Sequence, residues 1–254
     1  MNMEPLNRIL SEIDKLKEEL SKKRPLPKEA LDKIQKALDI EYTYESNRIE
    51  GNTLTLQETA LVVNEGITIG EKPLKEHLEA INHAEAISYV KDIAQDKFEI
   101  DGRLIKDIHS IILRGIDRDN AGKYRNVPVM ISGSTHMPPQ PYLIEPQTEA
   151  FIRTFHDMTK SKEHPVIIAA YLHDELVKIH PFIDGNGRTS RLLMNLYLLG
   201  KGYVIVNLKG DNRSKRRYYE ALEKSHTQND PLDFYTLVAE NEKDALVRYL
   251  SLVG

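Results

Sequence analysis

The sequence predicts an all-α protein carrying one short non-helical insert, and three observations support that fold class. Apolar residues recur at helical spacing through most of the 254 residues, and proline and glycine punctuate the ends of those runs. Only residues 115–146 break the pattern, with a concentration of Gly, Pro, Ser and Asn. With 40% hydrophobic residues the chain can bury a substantial core.

Leu6, Ile9, Leu10, Ile13, Leu16 and Leu20 form one stripe, so a first helix runs from Leu6 and ends before Pro25. Pro27 suits the first turn of a second helix, whose stripe of Leu31, Ile34, Leu38, Tyr42 and Ile49 continues to a stop at Gly51. Thr53 and Thr55 precede a helix through Val63, Gly66 and Gly70 interrupt it, and Pro73 opens a longer helix to about Ala94. Asp101 is placed to cap a helix through Leu113. Within the insert, residues 127–131 and 135–139 flank the turn residues Ser132, Gly133 and Ser134 and predict a small β-hairpin, which its prolines confine to an edge. Helices resume over 146–159, 165–179, 186–201, 214–224 and 231–252.

Composition excludes several classes. A net charge of −4 without a basic stripe argues against a nucleic-acid binder. The absence of cysteine removes disulfides, thiolate metal ligands and cysteine nucleophiles. No apolar run of about 18 residues predicts a membrane span. The charged N-terminal stretch does not read as a signal peptide, so the cytoplasm is the expected location.

The sharpest local signal is His180-Pro181-Phe182-Ile183-Asp184-Gly185-Asn186-Gly187-Arg188-Thr189-Ser190-Arg191, a tight loop entering an apolar helix. Gly185, Asn186 and Gly187 permit positive φ and close backbone approach, and a helix N-terminus gathers N–H donors that favour an anion. Arg188 and Arg191, at i and i+3, can grip phosphate oxygens bidentately. Arginine at this end opposes the helix macrodipole, so something other than helix stability accounts for it. Stripes of Ile168, Leu172, Leu176 and Ile179 before the loop, and of Leu192, Leu193, Leu196 and Leu199 after it, supply rigid support. His180 can accept a hydroxyl proton, since an ordinary imidazole titrates at about 6.5. Asp184 offers one carboxylate, which suits Mg²⁺ shared with substrate phosphates and water. These parts point to phosphoryl-type transfer.

The segment resembles the signature H-P-F-x-D-G-N-G-R-x-x-R of the Fic (filamentation induced by cyclic AMP) family, matched at every fixed position. The resemblance implies a Fic-fold helical bundle and a protein adenylyltransferase that moves AMP from ATP to a Ser, Thr or Tyr hydroxyl of a target protein. It assigns the catalytic base to His180 and the Mg²⁺ ligand to Asp184. Anion contacts fall to the Gly185–Gly187 backbone, the α-phosphate pocket to Asn186, and the β- and γ-phosphates to Arg188 and Arg191. Tyr218 and Tyr219 fall where the family contacts adenine, with Tyr219 preferred, and His226 stands where relatives often carry Asn. Residues 127–139, preceded by Gly122-Lys123-Tyr124-Arg125, resemble the family's flap, a hairpin that docks target backbone by β-augmentation. The implied partners are that target protein, the chain itself as a substrate, and a second copy in a homodimer; nucleic acid and membrane are not among them.

A second motif, Ser46-Asn47-Arg48-Ile49-Glu50-Gly51, resembles the family's inhibitory helix pattern [S/T]-x-x-x-E-[G/N], placed N-terminal to the loop as in class II members. Ser46, Glu50 and Gly51 are its fixed positions. The resemblance implies that Glu50 occupies Arg191 and excludes the productive pose of the γ-phosphate. It divides the chain into an N-terminal helical extension over 1–70 and a catalytic core over 71–254. Three alternatives accompany it: dominant de-AMPylating hydrolysis, in which Glu50 orients water; use of another nucleotide or phosphate-containing donor; and a non-catalytic nucleotide-binding module, against which the intact His180 argues. His83, His109, His156, His164 and His173 show no metal-ligand spacing and carry structural roles by default. Arg213, Lys215, Arg216 and Arg217 read as a solvated basic face near the phosphates.

Overall fold

Ten α-helices and one 3-10 turn organise the described residues, 3–23 and 28–253, in a computed structural model. In order they are α1 (Glu4–Lys23), α2 (Lys28–Ile49), α3 (Leu56–Glu65), α4 (Leu74–Gln95), α5 (Gly102–Ile112), the 3-10 turn Pro141–Leu143, α6 (Ile144–Lys160), α7 (Pro165–Ile179), α8 (Asn186–Gly200), α9 (Asn212–Gln228) and α10 (Leu232–Val253). Pro25 and Pro27, expected to separate the first two helices, and the side chain of Leu31 lie outside the described residues.

Packing is centred on α7 and α8. Val166 through Ala170, Leu172 and Leu176 are buried on α7, and every residue of α8 from Arg188 to Leu198 is buried. A helix buried on every face belongs at the centre of a domain. The two helices pack on each other, α4 and α5 lie against α8, and α6 and α10 lie against α7. α1 covers α10, while α2 packs on α4 and reaches α8. The loop joining α7 to α8 is therefore held at the ends of two core helices.

Local chemistry explains the boundaries. Thr55 and Glu58 form a capping box that starts α3, with Glu58 N–H donating to Thr55 Oγ1 at 3.2 Å and Thr55 N–H to Glu58 Oε2 at 2.7 Å. Asp101 caps α5 by accepting from Leu104 N at 2.8 Å. Asp211 caps α9, which begins at Asn212, two residues ahead of the expected start. α6 likewise begins at Ile144, leaving Pro146 in a first turn that needs no N–H from it.

The expected hairpin is corrected. Residues 127–139 contain no strand among the described residues, and only the turn bond from Ser134 N to Ile131 O, at 3.2 Å, joins them across the bend. Pro128, Pro138 and Pro139 cannot donate to a ladder. Arg125 supplies donors in their place: its guanidinium reaches Val127 O at 2.9 Å and Pro139 O at 2.6 Å, drawing the two arms together. Glu223 of α9 accepts from Ser134 Oγ and from Thr135 N–H, and so anchors the tip.

Candidate nucleotide site

α7 ends at His180, whose φ of 50° is left-handed although the residue is not glycine. Such conformations cost energy and are held by their surroundings. Here the hold comes from Arg125, whose Nε donates to His180 O at 2.8 Å while its backbone N–H donates to Pro181 O at 2.9 Å. Phe182 is fully buried and stacks on His109, with centroids 3.6 Å apart and planes 6° from parallel. His109 then reaches the loop. Gly122 N–H donates to its Nδ1 at 2.9 Å, so the proton sits on Nε2, which donates to Asp184 O at 2.9 Å. Burial holds the His109 imidazole down at about 4, and this neutral tautomer is the one the two bonds require.

Asn186 closes the loop. Its Oδ1 accepts from Phe182 N at 3.0 Å and its Nδ2 donates to Phe182 O at 2.9 Å, with the residue buried. Asn186, expected in the α-phosphate pocket, sets its side-chain polar groups against the loop's own backbone. Gly185, with φ of 79°, makes the turn where a Cβ would lie 3.2 Å from the His109 ring. At Gly187 a Cβ would collide with Glu50 Oε1 and approach Arg191 Nη1 at 3.1 Å. Glycine is what lets Glu50 lie against the loop.

Behind the loop are two arginines, each 1% exposed. Arg188 pairs with Glu79 of α4 at 3.2 Å and with Asp184 at 3.3 Å. Arg191 donates through Nη2 to Glu50 Oε1 at 2.7 Å and to Ser46 O at 2.9 Å, and through Nε to Ser46 Oγ at 2.9 Å. Burial works against its charge, but Glu50 and the neighbouring tyrosine oxygens outweigh it and raise its pKa. Gly51, with φ of 97°, stands just past the end of α2 and directly follows Glu50.

Asp184 is partly exposed. Burial pushes its carboxyl up, but Arg188, the Gly185 N–H at 2.6 Å and Lys75 together hold it below the ordinary carboxylate range. It is therefore an ionised, solvent-facing carboxylate. Among the described residues no group of three or more His, Cys, Asp or Glu could hold a metal. A lone carboxylate fits a Mg²⁺ ion that takes its remaining ligands from phosphates and water, and does not fit an all-protein cage. His180 is pushed down to about 4, mainly by burial and further by Arg125 and His136, so its imidazole is neutral at pH 7.

The structure separates the two tyrosines. Tyr218 is buried, with its hydroxyl 3.1 Å from His173 Nε2 and 3.4 Å from Arg191 Nη1. Tyr219 is 44% exposed and donates its hydroxyl to Ile49 O at 3.2 Å, at the end of α2. His226 is buried and pairs with Asp174 at 2.9 Å. Of the basic cluster on α9, Arg217 pairs with Glu240 at 2.7 Å. The sequence gives no sign of Glu79, Lys75 or Glu223, because none has a motif partner nearby in the chain, and it offers His109 only a structural role and Arg125 only a place before the flap.

The Fic/DOC family model matches residues 99–198, a span from just before α5 to near the end of α8 that includes the whole loop. The chain carries a Fic domain. A protein adenylyltransferase Fic from Drosophila persimilis is 36% identical over 221 residues, which cover 87% of this chain and 42% of that protein. The chain thus spans less than half the length of that curated relative. Fic-1 (residues 134–508) from C. elegans superposes with a TM-score of 0.86 at 28% identity, covering 96% of this chain and 72% of that one. A Fic domain-containing signaling protein from Bacteroides thetaiotaomicron superposes with a TM-score of 0.85 at 26% identity, covering 98% and 96%. The superposed span extends the likeness beyond the Fic domain to the helices that precede it. No helix among the described residues is long and apolar enough to cross a membrane.

Proposed function

We propose that this Fic protein is a protein adenylyltransferase that moves AMP from ATP to a hydroxyl of a target protein and is held in a restrained, class II state by Glu50. One observation carries the reading: a neutral, partly buried His180 opens a loop behind which Arg188 and Arg191 are set as buried cations. The name of the Drosophila relative supports it.

In this reading His180 accepts the proton of the target hydroxyl as that oxygen bonds to the α-phosphorus. The bond from the α-phosphorus to the oxygen bridging toward the β-phosphate breaks, and pyrophosphate leaves with the electron pair. Arg188 and Arg191 hold the β- and γ-phosphates, and the N–H groups at the start of α8 face the α-phosphate. Asp184 would hold Mg²⁺, which supplies charge neutralisation across the phosphates. Tyr219, the exposed tyrosine of the pair, offers its ring to adenine. Residues 127–139 present the target, and a second copy of the chain or the chain itself also qualifies as partner. The extension over 1–70 supplies the brake and the core over 71–254 the chemistry, in a cytoplasmic setting.

Glu50 lies against Gly187 with its side chain 31% exposed, and this position favours a second reading. A carboxylate there can orient water onto an AMP-modified hydroxyl, so that the same site removes AMP. Incubation with α-labelled ATP and Mg²⁺ tests both readings, using wild type, Glu50→Gly, and Glu50→Gly with His180→Ala. Label on protein with Glu50→Gly that vanishes in the double variant is expected. ATP binding without label in any form would sink transfer, and wild type stripping label from protein modified by Glu50→Gly supports removal.

A further inference from the structure

Four charged side chains close a ring beside the loop, and two of them come from α4, outside the span that the family model matches. Arg188 Nη1 lies 3.2 Å from Glu79 Oε1, and Lys75 Nζ lies 3.8 Å from the same oxygen. Lys75 Nζ is also 3.4 Å from Asp184 Oδ2, while Asp184 Oδ1 is 3.3 Å from Arg188 Nη2. Lys75 and Glu79 are one helical turn apart and so share a face of α4.

The ring has a fixed half and a free half. Arg188 and Glu79 are buried, and Glu79 is held from behind by Asn52 Nδ2, which donates to its Oε2 at 3.0 Å. Asn47 of the Glu50 helix donates to the Glu79 carbonyl at 3.2 Å, fixing α4 against α2. Lys75 and Asp184 instead face solvent, with side chains 56% and 44% exposed. The two oxygens of Asp184 are divided between these halves: Oδ1 takes the Gly185 N–H and Arg188, and Oδ2 is left to Lys75. Any divalent cation that approaches this carboxylate meets an ammonium already on the outer oxygen. Like charges at such range repel strongly where solvent screening is incomplete. A lysine is a compact charge on a flexible stem and can swing from a carboxylate to a phosphate without backbone movement.

We infer that Lys75 is a protein-borne cation of the nucleotide site: it neutralises Asp184 before a ligand arrives, competes with the incoming divalent ion, and supplies part of that ion's electrostatic effect on the phosphates. The inference rests on the nucleotide reading proposed above. Its consequence is that nucleotide binding depends less on metal than a lone carboxylate site requires, because Lys75 both weakens metal binding and strengthens metal-free phosphate binding.

Calorimetric titration of the full chain with a non-hydrolysable ATP analogue, in EDTA and in saturating Mg²⁺, reads this as one ratio of affinities. Lys75→Ala is expected to raise the ratio of Mg²⁺ to metal-free affinity by about fivefold or more, and Lys75→Arg to keep the wild-type ratio. A ratio within twofold of wild type in Lys75→Ala overturns the inference. If no form binds the analogue in any condition, the nucleotide reading itself fails, and Lys75 is then judged by Mn²⁺ binding to the nucleotide-free chain, followed by electron paramagnetic resonance. Tighter Mn²⁺ binding in Lys75→Ala that is lost with added Asp184→Asn supports competition at Asp184; identical Mn²⁺ binding in wild type and Lys75→Ala removes it.

Discussion

Glu50 Oε1 lies 2.7 Å from Nη2 of Arg191, although 141 residues separate the two in the chain. Arg191 is enclosed by Ser46, Tyr218 and the body of α8, so its charge has few other partners. A buried cation with one carboxylate partner is costly to leave unpaired, and the partner is correspondingly hard to displace. Replacing Glu50 with Gly is expected to raise label transfer from α-labelled ATP at least tenfold. Glu50→Gln, which keeps the shape and loses the charge, should fall between. A thermal melt should show Glu50→Gly lowered by a few degrees, because each 1 kcal/mol corresponds to about 2–4 °C in a chain of this size.

Arg191 serves two masters in this arrangement, and its removal separates them. Arg191→Ala is expected to weaken triphosphate binding about tenfold or more while releasing Glu50, so the variant stays inactive even though its brake is loose. Calorimetry with ATP and with AMP distinguishes the effects: ATP affinity should fall and AMP affinity should change little. Unchanged ATP affinity would count against the phosphate role.

His109 holds the loop from the side through Asp184 O and stacks on Phe182. His109→Leu keeps bulk but removes the hydrogen bonds to Asp184 and Gly122, and its expected cost is about 2–3 kcal/mol from two unsatisfied buried groups. Urea denaturation measures that loss. In a Glu50→Gly background transfer should fall as well, whereas His109→Gln, which restores a donor, should recover part of it.

Acid should act through buried neutral histidines. His109 and His180 are held at about 4, and His83 and His173 are pushed well below the ordinary value, in each case mainly by burial. Unfolded, these groups bind protons at about 6.5. Between that pH and the folded values the unfolded chain carries more protons, so stability falls as pH drops from about 6.5 toward 4. The melting temperature should be flat from pH 8 to 7 and decline steadily below 6.5. The acid limb of Glu50→Gly transfer should lie nearer pH 4 than 6.5 wherever the fold survives, as read from initial rates.

Glu223 anchors the bend of residues 127–139 through Ser134 and Thr135. Glu223→Ala should speed amide hydrogen exchange across 130–137 while leaving ATP affinity within twofold. If the segment presents the target, transfer to protein should fall with the nucleotide site intact.

Helix ends were legible because their determinants are local: Thr55, Asp101 and Gly51 each act on backbone within a few residues. The hairpin expectation fails because alternation and turn residues are local signals too, and the sequence does not reveal that Arg125 supplies the donors that three prolines lack. Tyr219 is preferred over Tyr218 from the resemblance alone, but only their positions around α9 make one a core residue and the other a surface one.

The helical framework, the loop from His180 to Arg191 and the second motif at Ser46–Gly51 are contiguous in the chain, and their spacing follows helix and turn geometry, so all three can be read without the fold. Which charges meet depends on how the helices pack. Lys75 reaches Asp184 across 109 residues, His109 reaches it across 75, and Asn186 staples the loop at Phe182. Coulomb and hydrogen-bond interactions act within a few ångströms in space without regard to separation along the chain, so those partnerships exist only once α4, α5 and α8 have packed.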